Sequence, residues 1–395
     1  MPKWGRCGHL HTHPVAALKS HAGAQVHRSP IAVPFDLAHY QEGNFFRSRV
    51  DGCGCKSRAK MYKTSALLIV LGASVNVGDG VDLRGVGGTF PEELYKKWST
   101  VYHKLNPTVR IRYEGISSGV GIKSISEGTV DFGGSDAPMT DPELKKAPAI
   151  VHIPSILGAI TLGYNLPTVP ELKLSPESTS GIFLGDILRW NDPKIAADNP
   201  GVFLPDLPIT IFHRADASGT TSILTDYLSK ISQEWKGRVG SGKTVSWPVG
   251  VGLSGSGTQG IAERVKQTPG GIAPLELGFS LSNKLGIAAI KNREGKFVFP
   301  TPRAIFKAVE GTSIPPDFRT SITDPSGPEA YPIASFTYIL VRRHHPDEEK
   351  GEALAEFLRW ALSSGQAAAP LNDFAPLPKH LVDRVQIEIG ALTTH

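Results

Sequence analysis

From Asp82 onward the chain alternates short apolar strands with amphipathic helices, and that alternation confines it to the α/β class. Residues 109–113 read Val-Arg-Ile-Arg-Tyr, with the two-residue period of a strand. Residues 150–165 are nearly continuous apolar, the pattern expected of a buried parallel strand. Segments 209–213, 271–273 and 335–341 read as further strands, and 351–360 as a late amphipathic helix. Residues 131–138 read as a strand end and turn, and 186–193 as a short helix running into a turn. These elements predict parallel sheets flanked by helices. At 395 residues the chain has room for two domains, and it contains no internal repeat.

Within that framework three helices open on small residues. The run Phe212-His213-Arg214-Ala215-Asp216-Ala217-Ser218-Gly219-Thr220-Thr221 leads into apolar positions Ile223, Leu224, Tyr227, Leu228, Ile231 and Trp235, one face of a helix over 222–235. Ser218 fits the N-cap, which leaves Gly219, Thr220 and Thr221 with unpaired backbone N–H groups. Gly88-Thr89-Phe90-Pro91 opens a second helix with Pro91 in its first turn. Gly115-Ile116-Ser117-Ser118-Gly119 opens a third. Bare N–H groups and the helix dipole both favour an anion, and Arg214 adds a fork of donors suited to an oxyanion. An ordinary set of capped helices with a surface Arg–Asp pair is the plainer reading of the same residues.

Charge and cysteine divide the chain near residue 60. Residues 1–60 carry nine Lys or Arg against three acids, while the rest carries 33 against 34. The folded part has no basic excess, and no nucleic-acid partner is expected. Cys7, Cys53 and Cys55 and six of the thirteen histidines also lie in the first 60 residues. Their spacing, Cys7-x-His9-x-His11-x-His13 and Cys53-x-Cys55, matches no zinc pattern, so this segment is expected to be an unstructured leader. Lys60-Met61-Tyr62-Lys63 then precedes an apolar run of roughly ten residues, too short to span a bilayer and right for a secretory signal. The reading is translation from Met61, a signal peptide over 61–79 and a periplasmic protein; a buried strand over 67–71 is the alternative.

Two motifs are decoys. Gly237-Arg238-Val239-Gly240-Ser241-Gly242-Lys243-Thr244 spells a P-loop, but a polar helix precedes it and Pro248 bars the helix that should follow. Gly115 to Gly119 spells Gly-x-Ser-x-Gly, yet no later Asp and His stand out as partners.

Four motifs in order carry a family resemblance. They are Gly-Thr-Phe-Pro at 88–91, Gly-Ile-Ser-Ser-Gly at 115–119, Asp-Phe-Gly-Gly-Ser-Asp-Ala-Pro at 131–138, and His-Arg-Ala-Asp-Ala-Ser-Gly-Thr-Thr at 213–221. In this order and spacing the chain resembles the periplasmic phosphate-binding protein of the bacterial ABC phosphate importer, from about residue 83 to about residue 385. Glu234-Trp235-Lys236, Trp247-Pro248 and Tyr331-Pro332-Ile333 belong to the match. Ser117 and Ala217 stand where the family often has Gly.

The resemblance implies a two-lobed periplasmic binding protein fold of type II character, with the ligand cleft between lobes joined by crossing strands. Residues 80–155 with 328–395 would form one lobe and 156–327 the other. Thr89, Phe90 and Ser118 would donate to phosphate from the first lobe. Arg214, Ser218, Gly219 and Thr220 would donate from the second, with Asp216 supporting Arg214. Asp136 would face the ligand; from the residues alone a turn-capping Asp after Ser135 is the favoured reading. The expected partners are inorganic phosphate and an inner-membrane ABC permease complex, with the protein itself a monomer. No metal and no cofactor is expected. A phosphatase-like enzyme, or a receptor for another tetrahedral oxyanion, is the alternative on the same cleft.

Overall fold

The structure, a computed structural model, describes residues 80–392 apart from Val249 and Val251. The leader over 1–60 and the signal segment over 61–79 lie outside the described residues.

Among the described residues, nine strands form the main sheet: β1 (Val81–Gly87), β2 (Val109–Gly115), β3 (Phe132–Ser135), β4 (Ile150–Tyr164), β5 (Thr210–Arg214), β6 (Leu253–Gly255), β7 (Gly271–Glu276), β8 (Gly286–Ile287) and β9 (Ala334–Arg342). Their order is β2-β1-β3-β9-β4-β7-β5-β6, with β8 also paired to β4. Pairs β1–β2, β1–β3, β5–β6 and β5–β7 are parallel. A separate three-stranded sheet joins Lys173–Leu174, Ala289–Lys291 and Phe297–Val298.

β4 ties the sheet together, and it differs from the expectation. All fifteen of its residues are buried, as the apolar run predicts. Yet it runs antiparallel to β9 over 150–159 and antiparallel to β7 over 160–164. A continuous apolar run reports burial on both faces, and any covered internal strand has that, whatever its direction. The sheet is therefore mixed. One long strand serves two partners in succession, and with β9 it connects the two halves.

Two smaller expectations also fail. Residues 186–192 form no helix, and Pro193 only opens the next one, Pro193–Asp198: Gly185 ends the preceding helix in the left-handed region, and the chain then extends along 207–209. Trp190 N donates to the Leu207 carbonyl at 3.0 Å and Ile209 N to the Leu188 carbonyl at 2.8 Å. Backbone partners across the loop outcompete a single helical turn. The helix expected over 222–235 is two helices, Gly219–Ile231 and Gln233–Arg238. Ser232 sits between them, and its hydroxyl accepts from Trp235 N at 3.1 Å, capping the second.

The helices that matter for the site are α1 (Glu92–Leu105), α2 (Ser118–Glu127), α3 (Gly219–Ile231) and α4 (Thr258–Gln267). α1 buries Leu94, Tyr95, Trp98 and Tyr102, and Tyr102 meets Phe357 and Trp360 of the late helix Glu348–Ala361. α3 buries Leu224, Tyr227 and Leu228 against the other half of the sheet. Each such side chain contributes about 1.5–3 kcal/mol of transfer free energy. That packing holds the helix openings over the carboxyl ends of β1, β3, β5 and β7, where ligands of α/β proteins sit.

Candidate functional site

The strand ends deliver the site residues directly. β1 ends at Gly87, one residue before Gly88 and Thr89; β3 ends at Ser135, before Asp136; β5 ends at Arg214 and β7 at Glu276. The Phe90 ring stays in the core, 5.3 Å from that of Phe374, so Phe90 can serve the site only through its backbone. Ser117 caps α2, its hydroxyl accepting from Val120 N at 3.2 Å. That cap explains the serine of the Gly-x-Ser-x-Gly pattern without a nucleophile. Ser218 caps α3 in the same way, accepting from Thr221 N at 3.4 Å.

Asp136 lies at the centre. It is 2% exposed. The Ser118 hydroxyl donates to its Oδ2 at 3.1 Å and the Thr337 hydroxyl to its Oδ1 at 3.0 Å. Ser335 donates to its carbonyl at 3.1 Å. The carboxylate is thus spent on side chains from α2 and β9 rather than on capping the turn after Ser135. Burial pushes it up to about 7, the nearby charge of Glu276 pushes the same way, and the hydroxyls and Arg214 oppose both. Two glycines allow the approach. A Cβ at Gly88 would lie 2.4 Å from Asp136 Oδ2, and one at Gly219 would lie 2.4 Å from Ser118 Oγ and 2.7 Å from Asp136.

Arg214 is buried and held from several sides. Its Nε donates to Asp216 Oδ1 at 2.6 Å and a terminal nitrogen to Asp216 Oδ2. The other terminal nitrogen donates to Thr258 Oγ1 at 2.8 Å. Behind it, His213 Nδ1 is 3.1 Å from the Arg214 carbonyl, and its ring stacks on Trp247 at 4.5 Å.

Two residues of this centre escaped the sequence reading. Glu276 is 1% exposed, and its Oε1 accepts from the hydroxyls of Thr89, Thr220 and Thr258 at 3.1, 2.8 and 3.1 Å. Its Oε2 is buried without a partner among the described residues. Thr258 opens α4 and links Arg214 to Glu276. A signal existed: Glu276 is a lone acid ending the apolar strand β7, at the carboxyl edge where sites form.

The two halves of the sheet touch across this centre. Arg214 donates to the Ile116 carbonyl at 3.1 Å, and Gly119 N to the Ala217 carbonyl at 2.9 Å. Farther out Lys243 pairs with Glu143 at 3.0 Å. Lys243 also lines a cavity of about 240 Å³ whose wall includes Asp136, Thr140, Ser222, Asp226 and Ser335. The P-loop-like run is neither preceded by a strand nor followed by a helix. Instead the Lys243 carbonyl accepts from Ser218 N at 2.9 Å and props the α3 cap.

Of the nine residues singled out in the sequence, Thr89, Ser118, Asp136, Arg214, Asp216, Gly219 and Thr220 come together around this centre, while Ser218 caps α3 beside them and the Phe90 ring turns into the core. Three helix N-termini, a guanidinium and several hydroxyls suit a small oxyanion. Among the described residues no group of three or more His, Cys, Asp or Glu is placed to hold a metal ion.

Comparison with known proteins agrees with the architecture. A family model for the PBP superfamily domain matches residues 73–364. The phosphate-binding protein PstS of Xylella fastidiosa (strain 9a5c) is 38% identical over 310 residues, 78% of this chain and 84% of its own. The phosphate-binding protein PstS of Methanocaldococcus jannaschii is 40% identical over 307 residues, covering 72% of this chain and 79% of its own. Among solved structures, a high-affinity periplasmic phosphate-binding protein (PfluDING) bound with phosphate shares the fold. Its TM-score is 0.65 at 21% identity, over 78% of this chain and 93% of its own.

Proposed function

The chain belongs to the PstS-type phosphate-binding proteins of the PBP superfamily, and from that premise we propose that it captures inorganic phosphate in the cleft around Asp136 and delivers it to an ABC-type import permease. It works as a monomeric periplasmic receptor, exported through the signal segment 61–79, and not as a catalyst. Residues 80–155 with 328–395 act as one lobe and 156–327 as the other, closing about the crossing strands β4 and β9 by hinge motion.

One observation carries the reading: a buried carboxylate stands where an anion is expected. Like charges repel, so a carboxylate is tolerable there only if the ligand brings a proton to it. Phosphate at neutral pH keeps at least one P–OH, and Asp136 takes that proton in a charge-assisted hydrogen bond. Sulfate has no proton to give and leaves Asp136 against a bare negative oxygen. Thr89, Phe90 and Ser118 donate from one side; Ser218, Gly219, Thr220 and Arg214 donate from the other, with Asp216 holding the guanidinium.

Calorimetric titration tests this. The purified protein is unfolded, refolded to strip any ligand, and titrated with phosphate and then sulfate. One-to-one phosphate binding with no sulfate heat is the expected result. A folded protein that ignores phosphate, or binds sulfate equally well, overturns the reading. Turnover of a chromogenic phosphate ester would bring the enzyme alternative forward.

A further inference from the structure

The main sheet ends at β2, whose only strand partner among the described residues is β1. Successive residues of a strand turn their backbone groups to opposite sides. Ile116 N donates to the Gly87 carbonyl at 2.7 Å, so the even-numbered residues of this run face β1. The odd-numbered residues therefore face outward. At the two ends of that outer side α1 supplies the partners: His103 Nδ1 donates to the Val109 carbonyl at 2.8 Å, and Gly115 N donates to Glu92 Oε1 at 3.1 Å. Between them the N–H and C=O groups of Ile111 and Tyr113 have no ladder partner among the described residues. Proteins commonly blunt such an edge with a proline, a bulge or a covering segment. β2 contains no proline, and its register with β1 is continuous.

A groove of about 550 Å³ runs between this edge and α1. Lys96, His103, Lys104, Arg110 and Arg112 line it, and no Asp or Glu does. Glu92 and Glu93 engage Lys96, and Asp82 engages Arg112, from outside the groove. Lys104 and Arg110 pair with no acid among the described residues.

Charge selects the occupant. A second copy would bring its own Arg110 and Arg112 to the same edge, and like charges opposite each other destabilise a strand pair. The first 60 residues of this chain carry nine Lys or Arg against three acids, and residues 61–79 contain a single acid, Asp79. Neither segment matches the groove. We propose that the β2 edge and its α1 groove are a docking site for an extended acidic segment of another protein. The segment adds a strand beside β2, exchanges main-chain hydrogen bonds with Ile111 and Tyr113, and sets its acids against Arg110 and Lys104. β2 lies two strands away from β3, which ends at Asp136, so docking does not touch the centre around Asp136.

The test uses the full chain and the peptide Glu-Val-Glu-Val-Glu, whose alternation puts acids on one face and a β-former on the other. Fluorescence anisotropy of the labelled peptide measures binding, and amide hydrogen exchange locates it. Binding is expected to weaken about tenfold in Arg110→Glu and to fall as salt is added. Exchange at Ile111 and Tyr113 should slow when the peptide is bound. Two further peptides are N-methylated at alternate residues, one in each phase. Only one set of N–H groups faces β2, so one methylated form should lose binding and the other keep it. Equal binding of both forms would mean ionic adsorption without a strand, and overturns the inference. No binding at about 1 mM peptide overturns it as well. So does slow exchange at Ile111 and Tyr113 without peptide: if lost on dilution, the edge belongs to a second copy; if it persists, to this chain's own N-terminal residues.

Discussion

The two ends of β3 hold aspartates, Asp131 and Asp136, that meet opposite surroundings. Asp131 precedes the strand and is ringed by donors: Arg84 N at 2.7 Å, Lys350 Nζ at 3.1 Å and His345 Nε2 at 3.4 Å. Burial acts against its charge, but these partners more than offset it and hold the carboxyl at about 2. Asp136 follows the strand and takes its close side-chain bonds from neutral hydroxyls, with Glu276 near enough to push it up to about 7 together with burial. A charge that serves the fold is neutralised by the fold. The carboxylate proposed to meet the ligand is met within the fold only by neutral hydroxyls, at a cost in stability.

The strongest way to break this comparison is Asp136→Asn. Rejection of an analogue lacking a required donor reaches roughly 10⁴-fold, so the preference for phosphate over sulfate should fall by up to that factor. Competition calorimetry measures it, and an unchanged ratio would end the contrast between the two aspartates. The same substitution should raise the melting temperature at pH 8. A carboxyl whose folded value is raised favours the folded state only while protonated. Wild-type stability therefore falls as pH climbs from the ordinary carboxylate range to about 7. The neutral amide of the variant escapes that loss.

Gly219→Ala comes next. Its Cβ would sit 2.4 Å from Ser118 Oγ and 2.7 Å from Asp136, so closure must be held open. Overpacking of this kind costs about 1–3 kcal/mol, which is roughly 5- to 150-fold in phosphate affinity. Normal affinity would mean that the α3 opening does not close onto Asp136.

Asp131→Asn should do the reverse of Asp136→Asn. It should lose about 1–2 kcal/mol of stability at pH 7, discounted for partial exposure, with phosphate affinity intact. Because the folded carboxyl is depressed, its contribution is full above the ordinary carboxylate range and fades as pH falls towards about 2. Urea unfolding at pH 7 and pH 3 should show the difference shrinking.

The smallest effect belongs to Lys243→Ala. Its pairing with Glu143 is a charge pair at the rim of the cleft. Such pairs contribute about 0.2–1 kcal/mol, so affinity should change by no more than roughly fivefold, and less in high salt. A larger loss would move Lys243 from the rim into the site.

The helix openings were legible because caps are local. Ser117 and Ser218 each bond an N–H three residues on, and that spacing is written in the chain. Arg214 and Asp216, two residues apart, are legible as a pair for the same reason. The direction of β4 was not legible, since an apolar run records burial and not the sense of its neighbours. Nor was 186–192, where bonds to 207–209 replace a helical turn.

By itself the sequence determined the α/β class, the small-residue openings and which residues could meet an oxyanion, because propensity, capping and periodicity act over a few residues. Only the tertiary structure decided what Asp136 and Glu276 are. Thr337 lies 201 residues from Asp136, and Thr89 lies 187 residues from Glu276. The protonation and hydrogen-bond role of a buried carboxylate depend on the desolvation and partners that such distant segments bring to it, and no local pattern encodes either.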